Sequence, residues 1–446
     1  MFSSLKKKIS FNPLTLSVLL ILCGVFFYLT EIPFLELMEL KTIDLRYINR
    51  GSSQADSDVV LAVIDEESID KEGKWIWPRS KMANLVKKLS ESGARVISFD
   101  IGFLEPDEKS VVKAIEDIEK NLTMLDAKNR SYLEALKRSS DNDRLLADAI
   151  AESKAKVVLG YFFQMEKLHS GDFDEGLLRI QQKNIQTSRY AQVKFHSEKA
   201  MDAPLITAQV ANANIASISQ ETPYSGYFNM FPDKYGVVRW IPAVIEYADE
   251  MYAPLSLMTL SAFKDSQPLV VVAEYGVEKI QFDDMTIPTD ELGRIMINYR
   301  GDAKSFKHIP VTDILSDKVA ESELKGKAVI VGATAIGIYD MRVTPFTSVF
   351  PGVEIHASIV DSVLRGEFLY HPTWAAVFDI LAIVLAGLLL GMVLPRTGVF
   401  LGVLTVSVLF FGHIFFCQYL FSSQGWILNM VYPLLVILSV YISITV

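Results

Sequence analysis

Residues 59–65 read Val-Val-Leu-Ala-Val-Ile-Asp, and residues 94–100 read Ala-Arg-Val-Ile-Ser-Phe-Asp. Each stretch is a short apolar run that ends in an aspartate. Residues 80–92 lie between them and repeat apolar side chains at helical spacing, and Gly93 follows as a helix terminator. Because a strand, a helix and a strand in this order form a βαβ unit, we predict two neighbouring, buried parallel strands.

The same alternation recurs further along the chain. Residues 143–153 and 355–365 have helical periodicity, and residues 156–161 and 327–333 are apolar runs of strand length. A mainly parallel sheet with helices on both faces buries such strands. The predicted fold class is therefore α/β, with a mainly parallel sheet and flanking helices.

The second half of the central region contains more β-strand signals. We predict a hairpin from residues 226–233 and 236–242, with its turn at Asp233 to Gly236. Residues 283–288 and 294–299 are predicted to form a second antiparallel pair. This region adds an antiparallel β part to the fold.

Residues 107–138 form a highly charged segment whose apolar residues have a spacing close to a heptad, with Asn129 at a core position. One interpretation is an amphipathic helix that packs on its own domain. The other interpretation is a helix that forms a dimer contact. The sequence leaves both open.

Long apolar runs concentrate at the two ends of the chain. The first, residues 13–30, carries no charge and is long enough to span a bilayer. Further spans are predicted at residues 373–394, 399–420 and 427–446. The predicted fold therefore includes about four transmembrane helices.

The charges beside the first run predict the orientation of the chain. Lysines occupy residues 6–8 before it, and glutamates follow it. By the positive-inside rule, residues 1–12 are cytoplasmic and residues 31–371 form an extracytoplasmic domain, periplasmic or extracellular. We therefore expect a multi-pass protein of the inner (plasma) membrane. A cleaved signal peptide is the alternative, although no small-x-small cleavage site follows the apolar run.

Composition argues against several function classes. The net charge of −10 argues against nucleic-acid binding, which needs a basic surface. Cys23 and Cys417 lie inside apolar runs, and the histidines lack the spacing of a zinc helix. We find no catalytic motif, and we expect no metal and no cofactor.

The last predicted span ends at Val446 without the flanking Lys or Arg that is typical of a cytoplasmic boundary. We therefore expect a cytoplasmic effector domain after residue 446, which is absent from this sequence. An outer-surface hydrolase is a further hypothesis, but the G-x-S-x-G elbow of one hydrolase class does not occur.

Short motifs are distributed along the central region. They are Asp44-Leu45-Arg46-Tyr47, Val63-Ile64-Asp65-Glu66, Trp77-Pro78-Arg79, Phe99-Asp100, Pro106-Asp107, Gly226-Tyr227-Phe228, Gly236-Val237-Val238-Arg239, Tyr299-Arg300-Gly301, residues 326–334, Asp340 with Thr344-Pro345, and residues 351–357. In this order they resemble the CHASE2 extracellular sensor domain of bacterial signalling receptors. The resemblance covers residues 35–371.

The resemblance implies a transmembrane signal receptor. Its outer domain would sense an unknown ligand or protein and relay the stimulus through the membrane helices to a cytoplasmic effector. Among the effectors of such receptors we favour a class III adenylate cyclase that makes cAMP, with the receptor acting as a homodimer. A non-catalytic, membrane-anchored binding or scaffold subunit that ends at residue 446 is the alternative.

Asp65 and Asp100 follow predicted neighbouring strands, and open α/β sheets bind ligands beyond the carboxyl ends of their strands. One interpretation is a ligand site at this edge. The other is that these groups cap helices and pair with arginines to hold loops. The candidate ligand-binding residues are Asp65, Trp77, Arg79, Asp100, Asp340 and His356.

Two ionisable residues, Asp379 and His413, lie inside predicted spans. Ionisable groups within a membrane are functional candidates because their burial is costly. Asp379 lies near the start of its span, where access to water is the simpler interpretation. His413 lies deeper, where a hydrogen bond across helices or between protomers is expected.

Overall fold

The computed structural model describes residues 12–55, 58–107, 110–121, 127–166, 175–338 and 341–445. The chain divides into two compact units. The helical unit comprises residues 1–51 and 369–446, and the α/β unit comprises residues 52–368. Each unit has its own clusters of buried apolar side chains.

The helices of the described residues are α1 (Pro13–Thr30), α2 (Pro33–Arg50), α3 (Glu66–Glu72), α4 (Arg79–Glu91), α5 (Ser110–Asn121), α6 (Ala127–Ser140), α7 (Asn142–Ala151), α8 (Glu175–Ile185), α9 (Ala216–Ser219), α10 (Leu255–Lys264), α11 (Val311–Leu315), α12 (Gly352–Arg365), α13 (Ala375–Val393), α14 (Val399–Gln424) and α15 (Val431–Thr445).

The strands of the same residues are β1 (Val59–Ile64), β2 (Val96–Phe99), β3 (Lys156–Gln164), β4 (Gln192–Phe195), β5 (Val210–Asn212), β6 (Ser225–Tyr227), β7 (Trp240–Pro242), β8 (Ile245–Tyr247), β9 (Glu250–Tyr252), β10 (Leu269–Ala273), β11 (Gly276–Phe282), β12 (Met285–Pro288), β13 (Arg294–Met296), β14 (Lys307–Pro310), β15 (Ala328–Ala333), β16 (Met341–Arg342) and β17 (Phe350–Pro351).

Three helices of the helical unit are long and apolar enough to cross a membrane: α1, α13 with the turn that follows it, and α14. The fourth predicted span is shorter than expected, because α15 has 15 residues and residues 427–430 before it are not helical. Helix α2, which the sequence did not predict, also belongs to this unit.

Glycines let the apolar helices of the helical unit approach closely. A Cβ atom at Gly24 of α1 would clash with Val436 of α15, and a Cβ atom at Gly387 of α13 would clash with Ile21 of α1. Small residues serve this purpose in membrane bundles, where packing contacts replace the hydrophobic effect as the driving force. Helices α1, α13 and α15 therefore form the core of this unit.

A seven-stranded sheet forms the centre of the α/β unit, with strand order β14-β1-β15-β2-β3-β5 and β6 paired to β3. All neighbours are parallel except β3 and β5. The predicted α/β class with a mainly parallel sheet is confirmed. Strands β1, β15 and β2 are almost entirely buried, as expected for a sheet covered on both faces.

The predicted antiparallel region exists, but its pairings differ from the prediction. Strand β6 joins the parallel sheet instead of forming a hairpin with β7, and β7 pairs with β13. Strand β12 pairs with β11 in a separate four-stranded sheet, order β12-β11-β10-β4. The turn at Asp233 to Gly236 does form, with a hydrogen bond from Gly236 N to Asp233 O of 2.9 Å. Local turn chemistry was readable, whereas partners far away in the sequence were not.

The described residues of the charged segment at residues 107–138 form two helices, α5 and α6. The two helices lie against each other, with Lys137 Nζ 2.7 Å from Glu116 Oε1. Helix α6 ends at Ser140, and α7 begins two residues later.

Candidate functional site

Asp65 follows β1 and Asp100 follows β2, but the two strands are not neighbours as the sequence predicted. Strand β15 lies between them in the sheet. Alternate strands of a sheet are about 10 Å apart. The late strand β15 takes the central position because parallel strands order by packing and crossover geometry rather than by sequence proximity.

Asp65 acts as a helix cap in this structure. Its Oδ1 accepts a hydrogen bond from Ser68 N at 2.9 Å, at the N-terminus of α3. A cap of this kind satisfies a backbone N–H that has no partner within the helix. The capping interpretation of Asp65 therefore has a direct structural basis.

Trp77 and Arg79 each hold a loop near the start of α4. Trp77 is buried, and its Nε1 donates to Gly73 O at 2.7 Å, within the α3–α4 loop. Arg79 N donates to Asp107 Oδ2 at 2.8 Å, and its Nη2 donates to Glu105 O at 3.2 Å. The contacts of Arg79 hold the β2–α5 loop against the start of α4.

His356 and Asp100 are the two predicted site residues that the fold brings together. His356 Nε2 lies 3.8 Å from Asp100 Oδ1, and His356 is 1 % exposed. Burial, and then the positive charge of Arg342, lower the pKa of His356 to about 3. The imidazole is therefore neutral at neutral pH, and this contact is not an ion pair. Asp340, the remaining candidate of this set, lies outside the described residues.

Helix α12 carries buried charged residues on the same helix as His356. The sequence had offered Glu354, with His356, as a residue that could join the predicted ligand site. Glu354 is fully buried, and its Oε1 accepts from Lys304 N at 2.7 Å and lies 2.9 Å from His308 Nε2. Further along the helix, Asp361 pairs with the buried Arg300. Because polar residues of α12, such as Ser358 and Ser362, are buried together with its apolar residues, the hydrophobic pattern of the helix did not mark Glu354 and Asp361 as buried.

Arg300 ties together the two ends of the α/β unit. Its Nη1 donates to Glu367 Oε2 at 2.6 Å, and its carbonyl oxygen accepts from Ser53 N at 2.6 Å. Burial opposes ionisation of Glu367, but the hydrogen bond and charge of Arg300 hold the pKa of Glu367 below its ordinary value. Arg365 adds a second tie, from Nη1 to Gln54 O at 3.2 Å.

In the helical unit, a non-helical stretch gathers the polar groups. We call residues 425–431 the 425–431 segment. It consists of residues 425–430, which are not helical, and Val431, the first residue of α15. Asp379 of α13 accepts from Asn429 Nδ2 at 2.9 Å and is 1 % exposed. His413 Nε2 of α14 lies 3.2 Å from Asn429 O. Both predicted intramembrane residues therefore contact the same asparagine.

Glu39 of α2 is the residue of this region that sequence analysis missed. Its carboxylate accepts from Met430 N at 2.9 Å and from Val431 N at 2.8 Å, so it caps the N-terminus of α15. The buried Arg46, two turns further along the same face of α2, donates to Glu39 Oε1 at 2.8 Å. The signal was readable as a Glu and an Arg spaced seven residues apart on an amphipathic helix.

The chain that leaves the α/β unit also reaches the 425–431 segment. Tyr370 N donates to Gly425 O at 3.0 Å, and Ile427 N donates to Tyr370 O at 3.0 Å. Trp426 Nε1 donates to Tyr370 Oη at 3.1 Å. Helix α2 and residues 369–371 therefore hold the same segment.

A profile of the CHASE2 domain matches residues 17–392. The chain belongs to the CHASE2 domain family. CHASE2 domains are sensory extracellular domains of bacterial signalling proteins. A search of curated proteins and a search of solved structures each found no match.

The CHASE2 match includes most of α1, all of α2 and the α/β unit, and most of α13, but it ends before α14. Glu39, Arg46 and Asp379 thus lie within the CHASE2 match, and the 425–431 segment that Glu39 and Asp379 bind lies beyond it. Among the described residues, no three His, Cys, Asp or Glu side chains lie close enough together to hold a metal ion. The chemistry of both regions is hydrogen bonding and charge pairing.

Proposed function

We propose that the chain is the input part of a transmembrane signal receptor. In this proposal the α/β unit lies outside the cytoplasm and senses a ligand or a protein. The 425–431 segment and α15 relay its state to a cytoplasmic effector. Membership of a sensory family supports the receptor role, and the observation that carries the relay is the convergence of α2 and residues 369–371 on one segment.

The chain enters the α/β unit at Ser52 and leaves it after Phe368. Helix α2 runs up to the entry, and residues 369–371 follow the exit. Helix α2 and residues 369–371 are the two connections between the units, and each is hydrogen-bonded to the 425–431 segment. A displacement of either connection therefore moves the N-terminus of α15. A stimulus acts through such a path only if it favours one arrangement over another.

The ends of the α/β unit are suited to this role because Arg300 and Arg365 link them. Arg300 binds Ser53 at the entry and Glu367 at the exit. Arg365, at the exit, binds Gln54 at the entry. A ligand that shifts either end therefore shifts the other. The coupling device consists of one buried ion-pair cluster in the α/β unit and one helix cap in the helical unit.

The lysines at residues 6–8 support an orientation with the N-terminus in the cytoplasm and the α/β unit in the periplasm or outside the cell. In this proposal α1, α13 and α14 cross the inner membrane, and the shorter apolar helix α15 crosses it as the fourth span, so that its end faces the cytoplasmic effector. As the effector we favour a class III adenylate cyclase that makes cAMP, on the resemblance to receptors of that class.

A reporter fusion tests the proposal. The full chain is joined after Val446 to the catalytic domain of a class III adenylate cyclase and expressed in a bacterium that lacks its own cyclase. We expect the Arg300→Met and Glu39→Gln substitutions each to change cAMP output several-fold at equal membrane abundance, because each removes one tie of the path. Arg144→Met, at an exposed arginine of α7, is the matched control.

Two results would count against a relay. Unchanged cAMP output in both Arg300→Met and Glu39→Gln means that the chain anchors its effector without regulating it, as a scaffold subunit would. An equal change in the Arg144→Met control means that the output responds to general destabilisation of the α/β unit.

A further inference from the structure

Asp379 of α13 is a buried carboxylate that has no charged partner among the described residues. It is 1 % exposed, and its Oδ2 accepts from Asn429 Nδ2 at 2.9 Å. Its other described donors are Asn429 N, 3.3 Å from Oδ1, and Tyr28 Oη, 3.4 Å from Oδ2. Both distances exceed the usual range of a hydrogen bond. Asp379 therefore has one good hydrogen bond, from a neutral group, and no counter-charge.

The charged groups around Asp379 leave its charge uncompensated. Glu39 of α2 acts on it with a charge of the same sign. The buried Arg46 already donates to Glu39 Oε1 at 2.8 Å and to Thr42 Oγ1 at 2.9 Å. One arginine and two ionised acids give a net charge of −1 (+1 − 2), and a charge buried among apolar helices in a membrane is costly. The other titratable groups that face this cluster in the described part of the chain are not permanent cations: Tyr28 of α1, His413 and Cys417 of α14, and Tyr432 of α15.

A proton fits this site better than a metal ion does. Asn429 points two N–H groups at the carboxylate, whereas hard metal cations need several oxygen ligands. In the described residues, no group of three His, Cys, Asp or Glu could hold a metal ion. A proton needs only one oxygen lone pair. Oδ1 offers it, because its contact with Asn429 N is long.

The position of Asp379 gives it access to the side from which α13 begins. Asp379 is the fifth residue of α13, about 6 Å along the helix axis from the first. The neighbouring residues 425–430 are not helical, and non-helical backbone at membrane depth is buried in protein or lines a water-filled space. Tyr28 and Asn429 are partly exposed, so they connect the buried carboxyl group to the surface. In the proposed orientation, this side is extracytoplasmic.

We propose that Asp379 binds a proton from the extracytoplasmic side and that this proton regulates the 425–431 segment. The O–H bond forms on Oδ1, and water on that side supplies the proton. A hydrogen bond to an ionised carboxylate is stronger than one to a neutral carboxyl group. Uptake of the proton therefore loosens the hold of Asp379 on Asn429, in the segment that begins α15. The outer pH then acts as a stimulus, which rests on the proposed relay.

Infrared spectroscopy of the full chain in lipid nanodiscs tests the proton site, because a protonated carboxyl group has its own C=O stretching band. We expect a wild-type band that loses intensity as the pH rises from about 5 to about 8, a range in which exposed carboxylates stay ionised. Asp379→Asn should lack this band at every pH. Tyr28→Phe removes a neighbouring donor and should shift the frequency of the band, so the assignment does not depend on one variant. Glu31→Gln, at an exposed carboxylate between α1 and α2, is the matched control and should leave the band unchanged.

The cAMP reporter fusion tests whether the proton is an input. We expect the wild-type output to change several-fold with the outer pH over the same range. Asp379→Asn should hold the output at the level that the wild type has at acidic pH, because asparagine imitates the neutral carboxyl group. Glu31→Gln should keep the wild-type pH response.

Three results overturn the proposal. The first is a wild-type chain without a titrating carboxyl band, above all if its thermal midpoint rises with Na⁺ instead. The second is a band that persists in Asp379→Asn. The third is a cAMP output that responds to Glu39→Gln but not to pH, or whose pH response persists in Asp379→Asn. If the band behaves as expected but neither Glu39→Gln nor Arg300→Met changes cAMP, the proton site is retained and the relay is rejected.

Discussion

The sheet edge of the α/β unit and the 425–431 segment of the helical unit both contain a carboxylate that caps a helix. Asp65 accepts from Ser68 N, three residues further along the chain, in the helix that directly follows it. Glu39 accepts from Val431 N, the first residue of α15, which lies 392 residues away from it. The chemistry of the two caps is the same, but the first stabilises one local turn and the second joins distant parts of the chain.

In such a protein we expect signal transmission at caps that join distant parts of the chain. A local cap can be lost at the cost of one turn, because its neighbours stay in place. Glu39, the cap between distant elements, is also paired with Arg46. Its loss leaves the buried charge of Arg46 without a counter-charge, and it leaves the N–H groups of Met430 and Val431 without this acceptor. The long-range cap therefore matters both for stability and for coupling.

The largest effect is expected for Glu39→Ala. Removal of one partner of a buried ion pair costs about 3–5 kcal/mol, so we expect a large fall in the thermal midpoint of the full chain in detergent. Glu67→Ala, at an exposed ion pair with Lys71, is the control and should change the midpoint little. Equal midpoints for Glu39→Ala and the control would show that the cap does not hold α15.

A similar but smaller loss is expected for Asp361→Asn, which removes the charge that faces the buried Arg300. We expect destabilisation of about 3 kcal/mol. Replacing both partners, in Arg300→Met/Asp361→Leu, should recover most of it because no buried charge is then left alone. A double variant less stable than Asp361→Asn contradicts this account of the pair.

The pH dependence of stability should report His356. Its pKa is about 3 in the folded chain, because of burial and the nearby Arg342, against an ordinary value of 6.5. Between those values the unfolded chain binds the proton and the folded chain does not, so stability falls as pH falls. The slope is at most about 1.4 kcal/mol per pH unit.

His356→Leu removes the titrating group and should flatten the fall in thermal midpoint between pH 6 and pH 4. The parent and variant are compared in the same buffers, so that the acidic residues of the chain contribute equally to both. Parallel curves for the two proteins would mean that His356 is not buried in its neutral form.

The smallest effects are expected at Asp65. Asp65→Ala should cost about 1 kcal/mol as a lost N-cap, and Asp65→Asn should cost almost nothing because asparagine caps equally well. The cAMP reporter fusion separates the capping role of Asp65 from a ligand-binding role. If Asp65→Asn abolishes regulation while stability is unchanged, the carboxylate binds a ligand and the capping role is secondary.

The sequence predicted the parallel strands and their helices because buried strands and amphipathic helices have local signatures. Strands β1, β2, β3 and β15 lie where the apolar runs are. The position of β15 between β1 and β2 was not predictable, because sheet order depends on the packing of elements far apart in the chain. For the same reason, β7 and β12 were assigned the wrong partners.

Candidate residues, too, were predicted only where the sequence around them carries a local signal. Asp379 and His413 were predicted because an ionisable group in an apolar run is conspicuous. Glu39 lies in a segment rich in charges, where its spacing of seven residues from Arg46 on an amphipathic helix is a weak local signal. Its partners are the backbone N–H groups of Met430 and Val431, which have no signature in the sequence.

Hydrogen exchange of the full chain in lipid nanodiscs, with Glu39→Gln compared to the wild type, tests whether α2 and residues 369–371 hold one segment. We expect faster exchange at Met430 and Val431 and also at Tyr370 and Ile427, because both connections hold the 425–431 segment. Acceleration confined to Met430 and Val431, or no acceleration at all, would contradict the coupling of the two connections.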